Sequence, residues 1–123
     1  ANALDGLRST VNTDVAAMLR DSAEPFRPLD QCTVNDYPRP GVGIPPHVDD
    51  TCHFGPVIAV VSLAAPVLMT WTPPPNTSIS SSAVDVLLPQ RSLAVFTGAA
   101  RSEWRHGIVE RAADVVMRDA AGA

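Results

Sequence analysis

The sequence predicts a mainly β fold preceded by one helix, and three observations support this prediction. Apolar residues recur at helical spacing in the first stretch of the chain. After it, short runs of β-prone residues alternate with turn residues. Six such runs with frequent turns follow the one leading helix, so a β-barrel or sandwich is favoured over a parallel βαβ arrangement. A chain of 123 residues is expected to form a single domain, residues 1–123.

The leading helix is predicted from apolar residues spaced three and four apart, with charged residues between them. The apolar positions are Leu4, Leu7, Val11, Val15, Met18 and Leu19. Pro25 and Pro28 then end the helical pattern, because proline cannot continue a helix interior.

Six short strands are predicted after the helix. They are residues 31–37, 57–63, 67–72, 84–88, 93–97 and 104–109. Residues 38–46 contain four prolines and two glycines and are predicted to form an irregular loop, and residues 73–82 a low-complexity loop. Residues 112–123 have no strong pattern, and we expect the chain to end before the fold does.

The composition narrows the class of protein. A hydrophobic fraction of 46% and a charged fraction of 18% are typical of a globular domain. A net charge of −4 provides no basic surface for binding phosphates, so contact with nucleic acid must come from a local patch or from sequence outside this chain. The longest apolar stretch, 56–69, is interrupted by Ser62 and Pro66, and we expect no membrane partner.

The cysteine content indicates a reducing environment. Cys32 and Cys52 are too few for a disulfide framework, and we interpret them as free thiols. The expected localisation is therefore intracellular, in the cytoplasm or the nucleus.

Three side chains are candidate ligands for one metal ion: His47, Asp49 and His106. On a strand, residues i and i+2 point to the same face, so His47 and Asp49 can converge. His106 lies on a much later strand, which a barrel can bring next to the first. Two histidines and one carboxylate leave adjacent positions open on an octahedral ion, as in non-haem Fe(II) oxygenases.

Other interpretations of these residues remain open. A His-x-Asp pattern occurs often by chance, and each histidine alone is typical of a surface or core side chain. His47, Asp49, Cys52 and His53 could instead bind zinc, although these ligands crowd a single turn. Asp50 is interpreted as a solvated loop charge.

Two segments around the candidate ligands resemble the AlkB-type 2-oxoglutarate-dependent dioxygenases. The first consists of Asn35-Asp36-Tyr37 and residues 40–49, PGVGIPPHVD. The second consists of residues 88–98, LPQRSLAVFTG, followed by Arg101, Trp104, His106, Gly107 and Ile108. The resemblance covers about residues 31–111 and is greatest to the branch that hydroxylates a modified wobble uridine in tRNA.

The resemblance implies a double-stranded β-helix, a jelly-roll barrel of two small sheets. By position, His47, Asp49 and His106 correspond to the iron ligands of the family. Asn35 and Tyr37 correspond to residues that hydrogen-bond 2-oxoglutarate. On the predicted strand 31–37 these two side chains also share a face, where an amide and a phenol can donate to a carboxylate. The implied cofactors are Fe(II) and, as co-substrate, 2-oxoglutarate.

The sequence departs from the family after the second histidine. The family places an arginine on a later strand to pair with the far carboxylate of 2-oxoglutarate. Arg111 comes early, and Arg118 is followed by DAAGA, which lacks the family pattern. The substrate-covering segment of the family is also not recognisable before Leu4. We therefore expect a chain truncated at both ends and incomplete at its C-terminal strand.

The leading functional hypothesis is an oxygenase that hydroxylates or demethylates a modified nucleobase, in tRNA before DNA, and acts as a monomer. One alternative is a binding module that keeps the metal ligands without turnover, which the missing arginine segment favours. Another is a cupin-like barrel that holds zinc. Four further residues are interpreted as packing or turn residues: Trp71, Arg91, Arg101 and Trp104.

Overall fold

The fold is known from a computed structural model that describes residues 2–75 and 82–116. Its elements in chain order are α1 Ala3–Met18, β1 Ile44–His47, β2 Ile58–Ser62, β3 Val67–Thr72, β4 Val84–Leu88, β5 Ser92–Phe96, α2 Gly98–Ser102 and β6 Arg105–Ile108. The mainly antiparallel β architecture with a leading helix confirms the predicted fold class and is consistent with a jelly roll.

The leading helix α1 begins with a capping box. The Asp5 backbone N–H donates to the Asn2 side chain at 2.9 Å, and the Asp5 carboxylate accepts the Asn2 N–H at 3.3 Å. Within the helix, Val15 is fully buried. The Asn12 side chain bonds both the N–H and the C=O of Leu29, at 2.6 and 3.1 Å, which ties the helix to the segment that follows it.

The strands form two antiparallel sheets in the described part of the chain. The larger sheet has the order β1-β6-β3-β4, and the smaller one pairs β2 with β5. Strands β2 to β6 confirm five of the predicted strands, with bounds that differ by no more than one residue at either end. These runs were readable because apolar and β-branched residues dominate them.

Two predictions about the region before the metal ligands were wrong. Residues 31–37 form no strand and are exposed throughout, so their alternating pattern has no sheet to pair with. Ile44–His47, which falls largely in the predicted loop, is strand β1. It lies at the edge of the sheet, and its register is irregular between Ile44 and His47. Edge strands and irregular pairings are where a sheet tolerates prolines such as Pro45 and Pro46.

The two sheets pack face to face through aromatic side chains. Trp71 on β3 meets Phe96 on β5 edge-on, with ring centroids 4.9 Å apart. Apolar residues of β3, β4 and β5 are buried, namely Leu68, Met69, Leu88 and Phe96. Trp71, which was interpreted as a packing residue, is half-buried and packs in this contact.

The segment after β6 is attached to β3 by one carboxylate. Asp114 accepts the backbone N–H of Leu68 at 3.2 Å and the Nε–H of Arg111 at 2.7 Å. Arg111 is thereby engaged within its own segment. Arg118 and most of the low-complexity loop 73–82 lie outside the described residues. No helix among the described residues is long and apolar enough to cross a membrane.

Candidate metal centre

The two candidate histidine ligands lie opposite each other on neighbouring strands. His47 ends β1 and is the direct pairing partner of His106 on β6. Residues directly opposite in an antiparallel pair project from the same face of the sheet. Their ring centroids are accordingly 4.5 Å apart. The pairing of β1 with β6 therefore brings together two residues that are far apart in sequence.

Glycines allow these two strands to approach closely. A Cβ on Gly107, between His106 and Ile108, would lie 2.8 Å from the carbonyl oxygen of Ile44 and 2.9 Å from the nitrogen of Pro46. A Cβ on Gly43 would overlap the carbonyl oxygen of Ile108. Any larger residue at either position would push β1 away from β6. Gly41, earlier in this run, has φ +88 and turns the chain as glycine readily does.

The carboxylate ligand reaches the histidines from beyond the end of the strand. Asp49 lies two residues after β1 ends, so the prediction that His47 and Asp49 share one strand face was wrong in its local detail. Its two oxygens nevertheless approach both histidines. Asp49 Oδ1 is 3.5 Å from His47 Nε2, and Oδ2 is 3.6 Å from His106 Nε2. One donor atom from each of the three residues lies within 4.8 Å of the others.

A backbone carbonyl determines which nitrogen of His47 faces the centre. His47 Nδ1 lies 2.8 Å from the carbonyl oxygen of Pro45. Because a carbonyl can only accept, Nδ1 carries the proton and Nε2 keeps its lone pair in neutral histidine. Metal-binding histidines are oriented in the same manner by a partner on the other ring nitrogen.

His106 is the buried member of the cluster. Its ring lies 5.0 Å from that of Trp71 and 5.1 Å from that of Phe96. Burial lowers the pKa of His106 below its ordinary value, and the neighbouring His47 lowers it further. A neutral imidazole with Nε2 facing Asp49 is suited to bind a cation. Its Nδ1 is buried and has no partner among the described residues.

The loop that carries Asp49 is held by Arg101. This side chain is only 3% exposed. Its guanidinium donates to four backbone carbonyls between residues 49 and 55. Arg101 was predicted only as a packing or turn residue, and these contacts were not predicted. The sequence signal that could have pointed to this role is a single arginine within the small-residue run GAARS.

The alternative zinc cluster is not formed. The Asp50 carboxylate instead accepts His53 Nδ1–H at 2.6 Å and the backbone N–H groups of Cys52 and His53 at 2.7 and 3.3 Å. The hydrogen bond from His53 also lowers the pKa of Asp50. Asp50 is exposed in a loop, as expected for a solvated loop charge, and it also accepts the hydrogen bonds that shape the turn. Among the described residues, the candidate metal-binding group is His47, Asp49 and His106.

The two residues predicted to contact 2-oxoglutarate are not positioned by a strand. Asn35 and Tyr37 lie in the exposed segment without regular structure, so the shared strand face predicted for them does not exist. Within residues 2–75 and 82–116, neither side chain makes a hydrogen bond, so both donors are free for a ligand. Partial burial raises the pKa of the Tyr37 phenol, which keeps it protonated as a donor.

Two antiparallel sheets with a two-histidine, one-carboxylate cluster on their inner face define the class of non-haem iron oxygenases. A family model described as the 2OG-Fe(II) oxygenase superfamily matches residues 4–119. The chain belongs to this superfamily, and its relatives are AlkB-like proteins. The donor set fits Fe(II), since imidazole and carboxylate groups suit this ion. Protein closes the cluster on the His106 side only, which leaves the other side of the ion free for further ligands.

Three relatives illustrate the similarity. The chain is 45% identical over 88 residues to a Xenopus tropicalis protein named tRNA (carboxymethyluridine(34)-5-O)-methyltransferase, covering 72% of this chain and 13% of that protein. It is 37% identical over 107 residues to an Arabidopsis thaliana "alkylated DNA repair protein" homologue, covering 73% and 31%. It is 32% identical over 114 residues to a human alpha-ketoglutarate-dependent dioxygenase, alkB homolog 4, covering 72% and 38%. The chain thus spans well under half the length of these relatives.

Proposed function

We propose that this chain is the catalytic core of an Fe(II)- and 2-oxoglutarate-dependent dioxygenase. Its proposed substrate is a modified nucleobase in tRNA, which it hydroxylates or demethylates. The observation that carries the proposal is the convergence of His47, Asp49 and His106 in a member of the 2OG-Fe(II) oxygenase superfamily. Bound Fe(II) together with 2-oxoglutarate supplies the oxidation of a C–H bond by dioxygen.

The residues of the chain would divide the work at this centre. His47, Asp49 and His106 would hold the iron. The side chains of His47 and Asp49 are 35% and 30% exposed, which leaves their side of the cluster open to co-substrate and substrate. Trp71 and Phe96 close the opposite side around His106 and exclude water there.

Asn35 and Tyr37 would donate hydrogen bonds to a carboxylate of 2-oxoglutarate. Their side chains are an amide and a phenol, both of which can donate to a carboxylate. Free donors in an exposed segment support this assignment, because the ligand would not have to displace an existing partner.

The tRNA assignment is supported by the names of relatives. The Xenopus tropicalis and Macaca fascicularis proteins are named for methyl transfer to a tRNA uridine, and this chain covers 13% and 16% of them. In the segment that this chain shares with them, the histidine and carboxylate cluster supports oxidation, and not methyl transfer, as the chemistry. With a net charge of −4, the chain would rely on other regions to hold the tRNA phosphates.

The remaining proposals concern the setting of the domain. We propose that residues 1–123 form one catalytic domain that acts as a monomer. An intracellular, reducing compartment is supported by Cys32 and Cys52, both of which are free and exposed.

A turnover assay tests the proposed function. The protein is incubated with Fe(II), 2-oxoglutarate, dioxygen and bulk tRNA, and succinate and nucleoside masses are measured. We expect iron-dependent succinate and a nucleoside that gains one oxygen atom or loses one methyl group. Asp49→Ala should abolish both products, while the matched control Asp14→Ala should retain them because Asp14 is an exposed carboxylate on α1, outside the cluster and its loop. Iron bound without any succinate would instead support the binding-module alternative.

A further inference from the structure

A buried cation next to the metal centre forms no ion pair with the part of the chain that the structure describes. Arg101 lies on the short helix α2 and is 3% exposed. Among the described residues, no carboxylate lies within ion-pair distance of it; the ion pairs there involve other residues. Burying an unpaired charge is costly unless hydrogen bonds compensate, so the contacts that Arg101 makes must account for its burial.

Within residues 2–75 and 82–116, all the hydrogen bonds of the Arg101 side chain go to one loop. Its Nη1 donates to the carbonyl of Asp49 at 2.8 Å, and its Nε donates to the carbonyl of Gly55 at 3.0 Å. Its Nη2 donates to the carbonyls of Asp50 and Phe54, at 3.0 and 3.3 Å. One planar guanidinium thus fixes both ends of the loop 49–55, a task that requires several donors in a rigid arrangement.

The loop needs such a support because no strand holds it. Strand β1 ends at His47, so Asp49 has no ladder hydrogen bonds to fix its backbone. The shortest of the four contacts is the one to the carbonyl of Asp49 itself. On the other side, α2 leads directly into β6, which carries His106. Arg101 therefore connects the backbone of the carboxylate ligand to the segment that delivers the second histidine.

We propose that Arg101 is a positioning residue for the metal centre, which holds the Asp49 carboxylate between the two histidines through the backbone of loop 49–55. This inference rests on the proposed metal site. Among the described residues, Arg101 makes no hydrogen bond or ion pair with the three ligand side chains, so it orients Asp49 through the backbone of loop 49–55. Loss of the guanidinium should weaken metal binding even in protein that remains folded.

Metal affinity, measured without turnover, tests the proposal. Mn(II) is titrated anaerobically into wild type, Arg101→Lys and Arg101→Gln, with free Mn(II) followed by electron paramagnetic resonance. Lysine keeps the charge and loses the fork of donors, while glutamine loses both. We expect each variant to bind Mn(II) about 10- to 100-fold more weakly, as for other residues that orient metal ligands.

A core variant separates positioning from stability. Val15→Ala removes a fully buried side chain in α1 and should lower stability while leaving Mn(II) affinity unchanged. Circular dichroism establishes that each titrated protein is folded. Folded Arg101 variants that bind Mn(II) as tightly as wild type would overturn the positioning role. Failure of wild type to bind Mn(II) would overturn the metal site itself, so the two failures are distinguishable.

A measurement on wild type decides the question if both Arg101 variants fail to fold. The exchange rate of the Arg101 Nε proton is followed by NMR with and without Zn(II). A guanidinium that holds the loop for the metal should exchange more slowly when Zn(II) binds, since binding and loop order are linked. An exchange rate unaffected by bound Zn(II) would contradict the proposal.

Discussion

The three ligand residues differ in their exposure, so one side of the centre is buried and the other is accessible. The His106 side chain is 8% exposed and packs against aromatic rings, whereas His47 and Asp49 are open to solvent. The buried side fixes the geometry, and the exposed side receives ligands. Substitutions at His47 and Asp49 should therefore affect metal binding with little loss of stability, while His106 contributes to both.

The pKa of His106 makes stability depend on pH. Burial holds this pKa below the ordinary value of 6.5, so as pH falls the unfolded chain takes up a proton more readily than the folded one. The contribution of His106 to the free energy of unfolding is complete above the pKa that this histidine has in the unfolded chain. It is lost as pH falls from that value through the lower pKa of His106 in the folded protein. Urea unfolding of the metal-free protein should show lower stability at about pH 5.5 than at about pH 7.5. His106→Phe should reduce this difference, and an identical pH dependence in both proteins would refute the assignment.

Tyr37→Phe should raise the 2-oxoglutarate requirement and leave stability unchanged. The phenol makes no hydrogen bond within the described residues, so its loss costs the fold nothing. One hydrogen bond to the co-substrate is worth about 1 kcal/mol, or about fivefold in affinity. Competition binding of 2-oxoglutarate measures the effect. An unchanged affinity would remove Tyr37 from the site.

At the scale of elements, the pairing of β1 with β6 creates the centre. Antiparallel pairing places His47 opposite His106, and glycine at Gly107 allows the strands to approach. Proline makes β1 an unusual strand, which its position at the sheet edge permits. The geometry of the metal site is therefore sensitive to the spacing between these two short strands.

Gly107→Ala should disrupt the centre by separating these strands. The added methyl group would meet backbone atoms of Ile44 and Pro46, which cannot rotate away. We expect a loss of about 1–3 kcal/mol in the free energy of unfolding, together with weaker metal binding. Gly6→Ala is the matched control, because it lies in α1 with nothing within 4 Å. That change should stabilise the protein by about 0.5–1 kcal/mol, and equal behaviour of the two variants would be inconsistent with crowding at Gly107.

Sequence patterns predicted the elements whose signal is local. Helix α1 was identified from apolar residues at helical spacing, and strands β2 to β6 from short β-prone runs bounded by turn residues. The pattern of 31–37 looks like a strand, yet strand formation depends on a partner that the sequence does not specify. Conversely, Pro45 and Pro46 oppose strand structure locally, and only the pairing with β6 reveals β1. Both errors came from tertiary context.

On the scale of the whole molecule, two packed sheets bring distant segments to one centre. Residue types and the family resemblance were sufficient to predict His47, Asp49 and His106 as a group. They were insufficient to predict Arg101, since its role depends on a loop that folds back on α2. Every residue has a backbone carbonyl, so the identity of the acceptor residue does not reveal that an arginine side chain will bind there. Only the assembled fold shows why a buried charge lies beside the ligands.

In the proposed function, the described cluster binds Fe(II) and 2-oxoglutarate together. An anaerobic titration with both, followed by visible absorption, tests this claim most directly. We predict the charge-transfer band of a chelated keto acid in wild type and in Asp14→Ala, which changes an exposed residue of α1, and no band in His47→Ala. His47 is chosen because its exposed side chain can be removed without disturbing the aromatic packing around His106. A folded wild-type protein without the band, or a band that persists in His47→Ala, would contradict the account.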